Sequence, residues 1–561
     1  MIILCSIDNF INCYFIRIIY NKIKKVKGEL IMSTIKNPIL KGFNPDPSIC
    51  RVGDDYYIAT STFEWFPGVA IHHSKDLVNW ELISYPLNRV NQLNMLGTPN
   101  SGGVWAPCLS YSDGKFHLIY SNVKSTGIAK DVPNYLVTSD SITGEWSDPI
   151  YFNCSGFDPS LFHDDNGRKW FVNMKNSNKY GENRFDGILL QEYDPKLKKL
   201  VGPIENIFKG TELKLTEGPH LYKKNGYYYL MVAEGGTGYE HAVTLTRSKS
   251  ITGPYEVHPT NPILTSYGTD METTLQKAGH ASIVDTPNGD WYMAHLCARP
   301  LKGTKRCILG RETALQKVEW REDDWLYLCK ENKYPSWEVD STLLVNDTVS
   351  PSVIKDDFDN DTLDINYNTL RVPQSTKILS LSERKGWLRL FGRESLESTF
   401  EQSLVARRQQ TFCYVTQTCL EFNPNTSQHM AGLVCYYNTY NFYYLRMSFD
   451  EEKEQNCLGI LANANADYSK SMLQKDNVFI GTTNKIYLRT EMNYSCLKFY
   501  YSLDNKTWTQ IGQEYDSSTL SDEFSNQKCA AFTGAYVGLC CQDLSYGGHH
   551  ADFDYFIYEE K

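Results

Sequence analysis

Phe157-Asp158-Pro159-Ser160-Leu161-Phe162-His163-Asp164-Asp165-Asn166-Gly167-Arg168-Lys169-Trp170 is the stretch on which the reading of the fold turns. It opens on an acid beside a proline, runs through apolar residues, turns at Asp165-Asn166-Gly167 and resumes on an aromatic. Asn-Gly or Asp-Gly between apolar runs is a strong hairpin signal, because the turn needs residues that accept positive φ. The plan recurs four more times. The other openings are Asp46-Pro47-Ser48, Ala106-Pro107-Cys108, Glu217-Gly218-Pro219-His220 and His280-Ala281-Ser282. Their turns are Gly53-Asp54-Asp55, Ser112-Asp113-Gly114, Lys224-Asn225-Gly226 and Pro287-Asn288-Gly289, followed by Tyr56, Phe116, Tyr227 and Trp291. Successive openings lie 60, 52, 59 and 63 residues apart. With long helical periodicity nearly absent, five hairpin-led units predict a five-bladed β-propeller of four-stranded blades around a central channel. If each opening starts an innermost strand, then Asp46, Ala106, Asp158, Glu217 and His280 meet at one end of that channel.

Outward from the repeat, the pattern stops after Trp325. The propeller is expected over 32–340, and residues 341–356, which contain Asp, Ser, Thr and Pro, read as a linker. From Asp357 a second run of alternating strands begins, with Tyr440–Met447 and Leu497–Leu503 as examples, so 357–561 is expected to be a β-sandwich. The fold class is all-β. Residues 1–31 differ from the rest: Arg17, Lys22, Lys24, Lys25 and Lys27 against Asp8 and Glu29 give them a charge of +3. Their apolar run is broken by Asp8, Asn9, Asn12 and Arg17, too often for a membrane span. The lysines follow that run instead of preceding it, which argues against a signal peptide. Lys27-Gly28-Glu29 can be encoded by a purine-rich ribosome-binding sequence just upstream of Met32, so 1–31 are read as a misannotated or disordered leader, with a weak membrane anchor as the alternative.

Composition narrows the function. The chain of 561 residues is 41% hydrophobic and 22% charged, with a net charge of −10 and no long basic run, which argues against nucleic acid and for a neutral or cationic partner. The 16 cysteines are scattered without C-x-x-C pairs, so they read as reduced thiols of a cytoplasmic protein, mostly small buried hydrophobes. Oligomeric state stays open, a homo-oligomer included.

Two carboxylates across a pocket are what glycosidic bond cleavage needs: one protonated, to supply the leaving oxygen, and one ionised, to activate water or attack. A third can hold the first one's proton, since like charges raise a pKa. Arg311 or His280 would offset that much negative charge, and Trp105 and Phe63 would offer flat faces to a sugar ring. Spacing alone does not say which acid does which job.

Lys41-Gly42-Phe43-Asn44-Pro45-Asp46-Pro47-Ser48, Gly103-Val104-Trp105-Ala106-Pro107, Phe157-Asp158-Pro159-Ser160, Thr216-Glu217-Gly218-Pro219-His220, Gly279-His280-Ala281-Ser282 and Gly310-Arg311-Glu312-Thr313 resemble glycoside hydrolase family 43, closest to its two-domain β-xylosidases. Six motifs in the right order make this a specific resemblance, covering nearly everything after Met32. It implies an inverting, exo-acting enzyme that releases xylose from the non-reducing ends of β-1,4-xylo-oligosaccharides. Asp46 then matches the general base, Glu217 the general acid, and Asp158 the residue that tunes and orients the acid. Phe63, Trp105, Thr237, His280 and Arg311 match pocket positions, and Phe532 the aromatic that closes the pocket from the C-terminal domain. No organic cofactor and no metal ligand are implied; a divalent cation such as calcium in the channel stays open. The rival on the same scaffold is an α-L-arabinofuranosidase, and a non-catalytic carbohydrate-binding propeller is more distant.

Plainer readings compete. Asp-Pro is a common turn sequence, and Glu217 before Gly-Pro fits a surface loop. His280 fits a core histidine bonded to a backbone carbonyl, Arg311-Glu312 an ordinary strand ion pair, and Phe63, Trp105 and Phe532 plain core. Recurrence at matched repeat positions favours the acids; for the remainder the resemblance decides.

Overall fold

The structure, a computed structural model, describes residues 33–127, 129–181, 183–341, 353–465 and 477–561. The leader assigned to 1–31 and most of the 341–356 linker lie outside the described residues. Five antiparallel sheets follow one another, each opening on the hairpin that the repeat predicts. Blade 1 holds Ser48–Val52, Asp55–Thr60, Ala70–Ser74 and Glu81–Ser84; blade 2 Gly103–Ser112, Lys115–Val123, Asn134–Ser139 and Ile150–Asn153. Blade 3 holds Ser160–His163, Lys169–Asn176, Phe185–Asp194 and Lys199–Phe208. Blade 4 holds Glu217–Lys224, Tyr227–Glu234, Ala242–Ser248 and Glu256–Val257, with Leu264–Thr265 added beside its third strand. Blade 5 holds Gln276–Asp285, Trp291–Ala298, Glu312–Trp320 and Leu326–Leu328. The innermost strands touch in sequence, and that of blade 5 returns to that of blade 1, so the ring closes. Closure is reinforced where Ser33–Lys36 pairs with Glu338–Ser341 and the Asn37 side chain bonds both N–H and C=O of Leu315.

The openings share one backbone device. Asp46, Ala106, Asp158 and His280 have φ of 56°, 31°, 54° and 44°, and in blade 4 the matching residue is Gly218 at 58°. A left-handed residue kinks each strand as it enters the channel, and in blades 1, 3 and 5 the residue two further on is stitched to a neighbouring blade. Ser282 Oγ donates to Pro47 O, Ser160 Oγ donates to Pro219 O, and Ser48 Oγ accepts from Leu109 N–H. The register of the repeat is therefore corrected in blade 4. The equivalent of Asp46 and Asp158 is Gly218, and Glu217 stands one residue before the kink.

The C-terminal unit is two stacked sheets. One contains Leu379–Ser380, Leu388–Phe391, His550–Glu560, Cys413–Phe422, Lys485–Asn493, Cys496–Ser502 and Thr509–Asp516; the other Leu404–Arg408, Tyr536–Asp543, His429–Asn438, Asn441–Asp450, Gln455–Ala464 and Val478–Phe479. Val353–Asp356, at the end of the stretch read as linker, is a strand on His550–Glu560, so the sandwich begins earlier than Asp357. In the second sheet Leu433, Cys435 and Tyr437 point into the sandwich core, whereas Val434, Tyr436, Tyr444 and Tyr536 pack with propeller residues Phe43, Phe63 and Trp65. Both faces are buried, which explains the consecutive aromatics Phe442-Tyr443-Tyr444. Trp65 stacks on Tyr536 at 3.6 Å, and Trp65–Phe66 pairs with Thr369–Leu370 across the junction.

Candidate active site

One end of the channel opens into a pocket of about 230 Å³. All nine residues singled out in the sequence line it: Asp46, Phe63, Trp105, Asp158, Glu217, Thr237, His280, Arg311 and Phe532. The kinks bring them there. With a left-handed residue at the strand entrance, Asp46, Asp158 and His280 aim into the channel mouth instead of lying along a sheet face. Gly218 must be glycine twice over, because a Cβ there would sit 2.9 Å from His280 Nε2 and its φ is positive.

Asp46 is 5% exposed. Its Oδ1 accepts from Arg311 Nη1 at 3.0 Å, its Oδ2 from Ser61 Oγ at 2.6 Å, and His280 Nδ1 lies 3.7 Å from Oδ1. Burial pushes this carboxyl up, yet Arg311, His280, Ser61 and His241 outweigh it and hold the group below its ordinary pKa. Glu217 is half-buried, and burial pushes it up to about 7, with Asp46 adding to the rise and Lys130 and Arg311 opposing it. Asp158 is pushed well above the carboxylate range by burial, then by Glu217 and Asp46, while its Oδ2 accepts the Gly218 N–H at 3.0 Å. Asp158 thus grips the backbone beside Glu217. Behind it, buried Glu234 accepts from Thr216 Oγ1 at 2.8 Å, from Thr211 N–H at 2.7 Å and from Thr244 Oγ1 at 2.6 Å, fixing the residue before Glu217.

Arg311 forms no strand ion pair with Glu312, which is taken by Arg299. Its Nη1 also donates to Thr237 Oγ1 at 2.9 Å, and its Nη2 donates to Phe532 O at 2.8 Å. Phe63, Trp105 and Phe532 form an aromatic wall with centroids 5.9–6.5 Å apart. Such faces suit the apolar C–H side of a sugar ring.

Other functional groups escaped the sequence reading. Lys130 lines the pocket with its Nζ over Phe157 at 4.5 Å and Trp105 at 5.1 Å; it stands in a blade 2 loop that no repeat marks. Phe157, Phe185, Leu215 and Gly236 complete the wall; Phe157 and Gly236 had a signal, as neighbours of Asp158 and Thr237, and Phe185 and Leu215 had none. Ser61 joins blades, donating to Asp46 and accepting the Ala106 N–H at 2.7 Å. Outside the pocket, His429, Asp543 and His549 hold donor atoms within 4.8 Å of one another. The two rings face each other at 3.7 Å and 32°, and His429 Nε2 is hydrogen-bonded to Ser545 Oγ at 2.8 Å.

A trio of carboxylates in one pocket, one held ionised and one still protonated near neutrality, beside an aromatic wall at the mouth of a five-bladed propeller, belongs to a glycoside hydrolase. The chain is a member of family 43. The family described as "Glycosyl hydrolases family 43" matches residues 35–326, and the "Beta xylosidase C-terminal Concanavalin A-like domain" matches 355–559. Among curated proteins, "Xylosidase/arabinosidase 43B" of Humicola insolens is 50% identical over 530 residues, covering 94% of this chain and 98% of the relative. The "Xylan 1,3-beta-xylosidase" of a Vibrio species is 49% identical over 541 residues, covering 94% and 99%. The crystal structure of a xylan β-1,4-xylosidase from Bacillus halodurans C-125 is 53% identical with a TM-score of 0.90, covering 94% of this chain and all of that one.

Proposed function

We propose that the chain is an exo-acting β-xylosidase that releases xylose from the non-reducing ends of β-1,4-xylo-oligosaccharides with inversion at the anomeric carbon. The observation that carries the reading is the split between two carboxylates in one pocket, Asp46 held down by Arg311 and Glu217 held up by burial. Glu217 gives its proton to the leaving oxygen as the glycosidic bond breaks. Asp46 takes a proton from the water that attacks the opposite face of the sugar. Asp158 keeps Glu217 in place through the Gly218 N–H. Arg311 ties the base to Phe532, and Phe532 walls off the pocket beyond the terminal sugar, which favours chain ends.

The relatives named above act on different linkages and pentoses, so the assay needs matched substrates. Proton NMR of a xylobiose digest should show α-xylose first; first-formed β-xylose would rule out inversion. Comparing β-1,4- with β-1,3-xylobiose sets the linkage. A tenfold or greater preference for a nitrophenyl α-L-arabinofuranoside over the β-xyloside would replace the assignment with the arabinofuranosidase. Among the described residues fourteen cysteines are free, seven of them fully buried, which fits a reducing cytoplasmic setting, the compartment we propose.

A further inference from the structure

We propose that Ser101 is a positioning residue that fixes the closed aromatic wall of the sugar pocket and thereby sets substrate affinity. It lies outside the pocket lining and is 1% exposed, yet it holds two of the three wall residues at once. Its carbonyl accepts from Trp105 Nε1 at 2.8 Å, and its Oγ accepts the backbone N–H of Phe532 at 3.0 Å. The second bond reaches across 431 residues, from the propeller to the C-terminal unit. The peptides flanking Phe532 are therefore held on both sides by the propeller, the N–H by Ser101 and the C=O by Arg311.

Ser101 is itself held. Its N–H donates to Glu64 Oε2 at 3.0 Å, and its φ of 57° is a conformation that a non-glycine residue keeps only under constraint. The constraint comes from the C-terminal unit. Arg371 donates from Nε to Thr98 O at 2.7 Å and from Nη2 to Asn100 Oδ1 at 3.2 Å, its N–H bonds Glu64 O at 2.9 Å, and Asn100 Nδ2 donates to Thr439 Oγ1 at 2.7 Å. The segment 98–101 is clamped from both ends, and Ser101 passes that placement on to Trp105 and Phe532.

Without the hydroxyl the half-buried Phe532 N–H loses its partner, and Phe532 is held on its C=O side alone. The wall contacts the sugar and none of the transferred protons, so the loss belongs in binding. This inference rests on the β-xylosidase reading, and the controls separate the two. Steady-state kinetics on nitrophenyl β-xyloside are measured for wild type, Ser101→Ala, Ser101→Gly, Phe532→Ala and the double variant Ser101→Ala with Phe532→Ala. Ser101→Gly relieves the positive φ while removing the same hydroxyl, so it carries the test if the alanine variant does not fold. Both single Ser101 variants should raise KM roughly tenfold with kcat within about twofold and an unmoved pH profile. In the Phe532→Ala background the Ser101 effect should fall below about twofold, because the ring it places is gone. An unchanged KM in both variants overturns the proposal. So does a tenfold effect that persists without the Phe532 ring, or a loss carried by kcat with a shifted pH profile. A wild type inactive on the xyloside refutes the proposed function whatever Ser101 does; an active wild type with unaltered Ser101 variants refutes the positioning role alone.

Discussion

Burial treats Asp46 and Glu217 alike, raising both; what separates them is company. Asp46 has Arg311 and Ser61 in hydrogen-bond contact and His280 nearby, whereas the cation closest in effect to Glu217 is Lys130, already occupied over two aromatic rings. The proton on Glu217 is lost as pH rises through about 7, so kcat/KM should fall above that value. Asp46 ionises below the usual carboxylate range, which puts the acid limb lower still. Glu217→Gln should cost roughly 10²–10⁴-fold on xylobiose but far less on a dinitrophenyl xyloside, whose leaving group needs no proton. Equal losses on the two substrates would remove Glu217 from the acid role. Asp158 has the opposite linkage to stability. Its folded pKa is raised, so its contribution is full below the unfolded value of about 3.9 and is lost as pH rises toward the folded one. Asp158→Asn should therefore raise the melting temperature at pH 8 and leave it unchanged near pH 3, while the alkaline limb of activity stays in place, because Asp158 carries no charge where Glu217 loses its proton. A melting gain of the same size at both pH values would contradict that linkage.

At the scale of the strand, the site depends on five left-handed entrances, and blade 4 uses glycine where the others strain an ordinary residue. Gly218→Ala drives a Cβ to 2.9 Å from the His280 ring and strains a φ of 58°. It should abolish most activity and lower the melting temperature by several degrees, measured by xyloside hydrolysis and thermal denaturation; near-wild-type kinetics would mean that the kink tolerates a side chain. The same strand shows how far sequence carries. Hairpin turns and the aromatic after each turn are local signals, so blade count and order were legible from turn chemistry alone. The kink was not, because a positive φ at Asp46, Asp158 or His280 is imposed by neighbouring blades and leaves no glycine to mark it. That is why Glu217, one residue off the register, seemed to match Asp46. Lys130 and Ser101 were silent for a related reason: they sit in connections between strands, and their roles follow from what the fold brings beside them.

Over the whole molecule, the two units behave as one body because their boundary is built like a core. Trp65, Tyr436 and Tyr536 are fully buried between them, and the fully buried Arg371 reaches from the C-terminal unit to backbone and side-chain acceptors in the propeller. Lys277 of blade 5 adds an ion pair with Glu523 at 2.5 Å, in the segment leading to Phe532, and Cys307 N–H donates to the other oxygen of that carboxylate at 2.9 Å. An interface of this kind does not open without exposing large aromatics, so the propeller gains nothing by unfolding after the sandwich has left. Calorimetry of the full chain should show a single transition instead of the two expected of loosely tethered domains. Tyr536→Ala removes the ring stacked on Trp65 and should cost about 3–5 kcal/mol, the range for truncating a buried aromatic. The decisive feature is which part of the molecule registers that loss. If the junction is a shared core, the one transition moves down as a whole and xyloside hydrolysis fails at the same lower temperature, since Phe532 leaves with its unit. If Tyr536→Ala instead splits the melt, with a propeller transition left at its original temperature, the units fold independently and the pocket is closed by docking rather than by a common core.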